Sequence, residues 1–148
     1  MIELMPEQRA IEAKMFVMAQ VGLGAPASLV TALGFMDSAT KKLVGAWAFE
    51  RCTGEGGSVY VHWATAAPGW LNRDTLALIS HYVFEQLGCA QALGEVRASD
   101  TRTRSINERL GFKKVGEIPG YFPNDDLILY CMRRSDCIWL PAEDENDG

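Results

Sequence analysis

Nowhere in its 148 residues does the chain hold an apolar run near the roughly 18 residues that cross a bilayer, so no membrane helix is expected. The opening MIELMPEQR lacks a basic stretch followed by an apolar one, and no secretory signal is expected from it. Positive charge is not in excess. The 14 Lys and Arg stand against 19 Asp and Glu, which excludes a strongly basic nucleic-acid binder on bulk charge. No two of the four cysteines (Cys52, Cys89, Cys131, Cys137) form a CxxC pair, and His62 and His81 are not at zinc-finger spacing. A structural metal is therefore not expected. Without a secretory signal a disulfide framework has no footing, so the cysteines read as reduced thiols of a cytosolic protein.

What is present is ordinary for a globule: 48% apolar and 22% charged residues, in a length that suits one domain. Four of the acids lie in the last six residues. Residues 1–140 therefore read as a single domain, and 141–148 as an acidic flexible tail. Helical spacing of Ile11, Met15 and Met18 predicts a helix over 6–20, with Gly22 and Gly24 ending it. Strands are expected at 28–36, 42–52 and 58–66, the last two flanking the glycine-rich turn TGEGG. In the second strand, alternation puts Leu43, Trp47 and Phe49 on one face and Val44, Ala46, Ala48 and Glu50 on the other. A second helix is expected over 73–87, where Leu76, Ile79, Val83 and Leu87 recur at helical spacing before Gly88. Then come a strand at 92–98, a short helix at 101–110 closed by Gly111, and strands at 112–118 and 127–133 around the turn-rich PGYFPNDD. This order predicts an α+β fold with a mixed, mostly antiparallel sheet flanked by helices.

Three stretches resemble the GNAT (Gcn5-related N-acetyltransferase) superfamily. ASDTRTRSINERLGF at 98–112 is similar to the family's Asn-x-x-(Ala/Ser), helix and Gly-Phe succession. A strand ending near Pro68 leads through a turn into the helix RDTLALISHYVFEQLG. The ending LYCMRRSDCIWL resembles the close of short GNAT-like proteins of bacteria and tailed phages, as does HYVFEQLGC at 81–89. The resemblance covers about residues 28–140. It implies acetyl-CoA as cosubstrate, inserted where the central sheet splays. An amine, either a small amine or a protein N-terminus, would attack the thioester directly in a ternary complex.

The resemblance also locates candidate site residues. The phosphate loop would be Gly69, Trp70, Leu71, Asn72, Arg73, Asp74 and Thr75, although the family pattern (Gln/Arg)-x-x-Gly-x-(Gly/Ala) is incomplete there. A glycine lets the backbone approach phosphates closely, whereas Asp74 brings a carboxylate. Asn72 and Asp74 equally suit a helix cap and first turn. Asp100 stands on the family's Asn position and Thr103 on its Ala/Ser position; Asp100 also suits a cap. Asn107 falls where many members carry a tyrosine acid, and it offers a hydrogen bond but no proton. Base candidates are His62, whose ordinary pKa of about 6.5 suits proton transfer, and Glu50, which either lines an acceptor cleft or faces solvent at a strand end.

The expected activity is N-acetyl transfer to an amine, in the cytoplasm, with no membrane and no nucleic-acid partner. The alternative is a non-catalytic GNAT-fold protein, such as a phage virion, assembly or host-binding component. It would keep the fold for binding a protein partner or a second copy. A virion would then be its setting if the chain is phage-encoded.

Overall fold

A computed structural model describes residues 1–140; the tail expected at 141–148 lies outside the described residues. Three hairpin-forming strands open the core: β2 (Thr31–Asp37), β3 (Leu43–Glu50) and β4 (Ser58–Thr65). The β2–β3 turn is held by Asp37, whose Oδ1 accepts from the N–H groups of Ala39 and Thr40, both at 2.9 Å. A short strand not foreseen in the sequence, β1 (Ile2–Leu4), adds to the outer edge of β2. Three residues are too few to show an alternating pattern.

The chain then crosses through α2 (Arg73–His81) to β5 (Gln91–Arg97), and through α3 (Thr101–Leu110) to the hairpin of β6 (Lys113–Phe122) and β7 (Asp125–Arg133). The seven strands lie in the order β1-β2-β3-β4-β5-β7-β6. Every neighbouring pair is antiparallel except β4–β5, which is parallel because a helical crossover joins it. This is the expected α+β architecture.

α1 (Ala10–Val21) covers one face of the sheet, and its buried side is not the expected stripe. Ile11 and Met15 are 69% and 54% exposed, while Ala13 and Val17 are fully buried. The sheet decides this. It presents Gly34, Ala46 and Ala48 to the helix, and a Cβ built on Gly34 would lie 2.6 Å from the Ala13 Cβ. Backbones this close admit only small side chains between them.

A β-bulge corrects the alternation expected in β3. Leu43 pairs with Met36 and Gly45 with Phe35, so Val44 is an extra residue and the faces swap there. Val44 joins Trp47 and Phe49 in the core beneath α2 and α3, and Leu43 packs on the α1 side.

α2 is capped by a reciprocal box: Asn72 Oδ1 accepts from Thr75 N–H at 3.0 Å, and Thr75 Oγ1 accepts from Asn72 N–H at 3.1 Å. The helix does not run regularly to Leu87. It widens into a π turn at Tyr82–Gln86, where Arg134 Nη1 donates to Phe84 O at 2.7 Å. The turn expected over PGYFPNDD shrinks to Pro123 and Asn124, because β6 continues to Phe122 and Asn124 adopts a left-handed φ of 60°. After β7 the chain brings Trp139 between the helices. Its indole N–H donates to Leu110 O at 2.8 Å, so it braces α3.

Candidate functional site

The two parallel strands part almost as soon as they meet. β4 and β5 pair only over Ser58–Tyr60 and Gln91–Leu93. From Val61 and Gly94 onward, their facing backbone N–H and C=O groups have no partner across the gap. Such groups need ligand or water. A cavity of about 760 Å³ occupies the split. It takes in residues from both faces of β4: His62 and Ala64 on the α1 side, Val61 and Trp63 on the other. The opening therefore passes through the sheet. The segment following α1 (22–25) walls one mouth, and the first turns of α3 wall the other.

One wall carries a charged cluster. Glu50 ends β3 and is only 5% exposed, which corrects the option that it faces solvent. His62, diagonal to it on β4, places Nε2 3.7 Å from Glu50 Oε1. Arg51 Nε donates to the same oxygen at 2.7 Å, and the Arg51 guanidinium also binds Glu95 on β5. That guanidinium lies over the Tyr60 ring, 3.6 Å from its centre. Among the described residues, Glu50 Oε2 and His62 Nε2 are buried with no hydrogen-bond partner. Burial lowers the His62 pKa below its ordinary value, against the opposing pull of Glu50 and Glu95. The imidazole is thus neutral at pH 7 and able to take a proton.

Across the gap, Asn107 is buried on α3 and lines the cavity. Its Oδ1 accepts from the Trp63 indole N–H at 2.9 Å. An indole only donates, so the bond fixes the amide orientation and keeps Nδ2 as a donor. Asp100 and Thr103 also line the cavity. Asp100 Oδ1 accepts from Thr103 N–H at 3.1 Å and so caps α3.

The 69–75 segment lies apart from the cavity lining. Trp70 is 1% exposed, packs against Phe35, and donates its indole N–H to Thr65 Oγ1 at 2.8 Å. It rests on Gly45, where an added Cβ would come within 2.2 Å of the indole. Thr75 is occupied by the helix cap, and its hydroxyl also bonds Trp70 O. Arg73 and Asp74 are exposed in the first turn of α2.

No protein-family model and no curated protein sequence matches the chain. Solved structures do match. Spermidine N-acetyltransferase from Vibrio cholerae, in complex with CoA and spermine, superposes with a TM-score of 0.69 at 13% identity, over 92% of this chain and 96% of that one. Ribosomal-protein-S5-alanine acetyltransferase from Vibrio fischeri gives 0.62 at 16% identity, over 91% and 73%. A GNAT-family acetyltransferase from Bacillus anthracis gives 0.59 at 14% identity, over 70% and 66%. The fold is that of the GNAT acetyltransferases.

On this GNAT fold, Glu50, His62, Asp100, Thr103 and Asn107 converge on one cavity, whereas Gly69 to Thr75 do not reach it. Sequence reasoning missed Arg51, Glu95 and Trp63 as members of the site. Arg51 had one visible signal, its place beside Glu50. The Arg51–Glu95 and Trp63–Asn107 contacts depend on how β5 and α3 lie against β4, which local periodicity does not encode. Among the described residues, no three His, Cys, Asp or Glu side chains converge as a metal set, and no helix is long and apolar enough to cross a membrane.

Proposed function

We infer that this chain transfers an acetyl group from acetyl-CoA to an amine in a ternary complex. The observation that carries this reading is the through-sheet cavity with a buried Glu50–His62 pair on its wall. Two substrates can approach one point from opposite faces of the sheet. The unpaired backbone edges of β4 and β5 suit an arm that carries amides, and a β4 N–H aimed at a thioester oxygen would stabilise developing charge there. Acetyl-CoA, when bound, supplies the acyl group as an activated thioester.

The chain's own groups divide the remaining work. Nε2 of His62 faces Glu50, which leaves Nδ1 to take the proton that an ammonium acceptor must shed. The Glu50 carboxylate then balances the imidazolium, and Arg51 holds that carboxylate in place. Asn107 Nδ2 offers a hydrogen bond to the departing sulfur. The acceptor is an amine, either small or a protein N-terminus. The two Vibrio proteins are named for spermidine and for an alanine of a ribosomal protein.

A second reading, a GNAT fold kept for binding without catalysis, is favoured by Trp70 sitting on Gly45 and by the distance of residues 69–75 from the cavity. Calorimetric titration with acetyl-CoA separates the two. Binding that Arg73→Ala weakens and Asp74→Gly tightens supports the transferase with its phosphates at α2. No heat of binding, together with no CoA release in the presence of amines, supports the binding protein.

A further inference from the structure

Two thiols stand close together beyond the cavity. Cys52 follows Arg51 in the irregular segment joining β3 to β4 and is exposed, whereas Cys89 precedes β5 and is buried. Their Sγ atoms are 3.7 Å apart. The two segments are tied to each other by the backbone: Gly56 N–H donates to Gly88 O and Ala90 N–H donates to Gly57 O, both at 2.8 Å. One thiol is thus held in the core and the other is presented to solvent directly over it. A disulfide needs its sulfurs about 2.05 Å apart, so closure asks for a shift of under about 2 Å. Cys52 lies in a stretch with no helix or strand to resist such a shift.

We propose that Cys52 and Cys89 form a thiol modification site that closes to a disulfide by exchange with a small-molecule disulfide. The Cys52 thiolate attacks one sulfur of the reagent. The reagent's S–S bond breaks, a mixed disulfide forms on Cys52, and the first small thiol leaves with a proton from solvent. Cys89 then gives its proton to solvent and attacks the Cys52 sulfur, releasing the second small thiol. The two cysteines lose two electrons and two protons, and the reagent gains them. Burial, reinforced by the neighbouring Cys52 thiol, pushes the Cys89 thiol up to about 11. The second step is therefore slow at neutral pH and quickens as pH rises. Neither thiol has a part in acetyl transfer, so the site stands whether or not that activity does.

The test treats the folded protein with oxidised glutathione at pH 7 and pH 9. Remaining thiols are then alkylated in denaturant and the digest is mapped by mass spectrometry. The expected product is two hydrogens lighter, carries a Cys52–Cys89 linked peptide, leaves Cys131 and Cys137 alkylated, forms several-fold faster at pH 9, and reverts with dithiothreitol. A glutathione adduct that persists on Cys52 at both pH values, a link through Cys131 or Cys137, or four unmodified thiols would overturn the proposal. Cys52→Ser is a surface change that leaves the core intact, and in it Cys89 should stay unmodified. Glutathione on Cys89 in that variant would refute the order of attack.

Discussion

His62 and Glu50 explain each other only as a pair. Alone, a histidine with 11% side-chain exposure would be a burial cost and a 5% exposed glutamate a larger one. Together they still leave Glu50 Oε2 and His62 Nε2 buried without a hydrogen bond, a cost to stability borne at the cavity wall. If His62 is the base, the acid limb of kcat/KM against pH lies below 6.5, since burial lowers its pKa. Glu50→Gln removes a group that raises that pKa, so the limb should move further down and kcat fall about tenfold or more. An unmoved limb would remove His62 from the chemistry.

The same shift has a stability consequence. The unfolded chain binds a proton at His62 at a higher pH than the folded chain does. Stability therefore falls as pH drops beneath about 6.5 and levels off once the folded histidine is protonated too. Chemical denaturation at pH 7.5 and 5.5 should show this fall, and His62→Gln should reduce it. Both residues were legible as polar interruptions of apolar strands. Their contact was not, because it needs the β3–β4 register.

At the scale of elements, glycine at 45 and tryptophan at 70 form one unit. The indole lies flat against a backbone with no Cβ, and it anchors the segment that leads into α2. Gly45→Ala should cost about 1–3 kcal/mol, a typical price of overpacking, read as a lower denaturation midpoint. Trp70→Leu, which opens space, should recover part of that loss in the double variant. Equal losses in the single and double variants would show that the clash lies elsewhere.

Elements with strong local signals were readable from sequence. α3 runs over the expected 101–110, with the Asp100 cap and Gly111 stop in place. α1 also lies close to its expected position, but its buried face differs from the expected stripe because apolar residues occur all round it. The choice of face belongs to the small residues of β2 and β3. The Val44 bulge and the π turn at Tyr82–Gln86 left no local trace either.

For the whole molecule, the question is what keeps the split from opening further or collapsing. α2 and α3 are braced at their C-terminal ends by Trp139, which bonds Leu110 O, while Cys137 Sγ contacts Ser80 Oγ at 3.4 Å. Trp139→Ala should destabilise the fold by about 2–3 kcal/mol, somewhat under the loss for a fully buried tryptophan. Amide exchange in Leu76–Ser80 and Ile106–Leu110 should quicken together. Exchange that rises in only one helix would mean that Trp139 is not the shared brace.

The short β4–β5 ladder also bears on how the chain acquires its structure. Every strand pairing before it joins sequence neighbours within residues 2–65, and every pairing after it lies within 91–133. Within the halves, the β2–β3, β3–β4 and β6–β7 pairings close short loops at low entropy cost, whereas β1–β2 must enclose α1 and β5–β7 must enclose α3 and β6. A ribosome releasing the chain from its N-terminus would free the four antiparallel strands β1–β4, with α1 between the first two, before the partner half exists. The three-residue seam between the halves cannot form until β5 has been released, so the seam beside the cavity is also where the two halves of the sheet are joined.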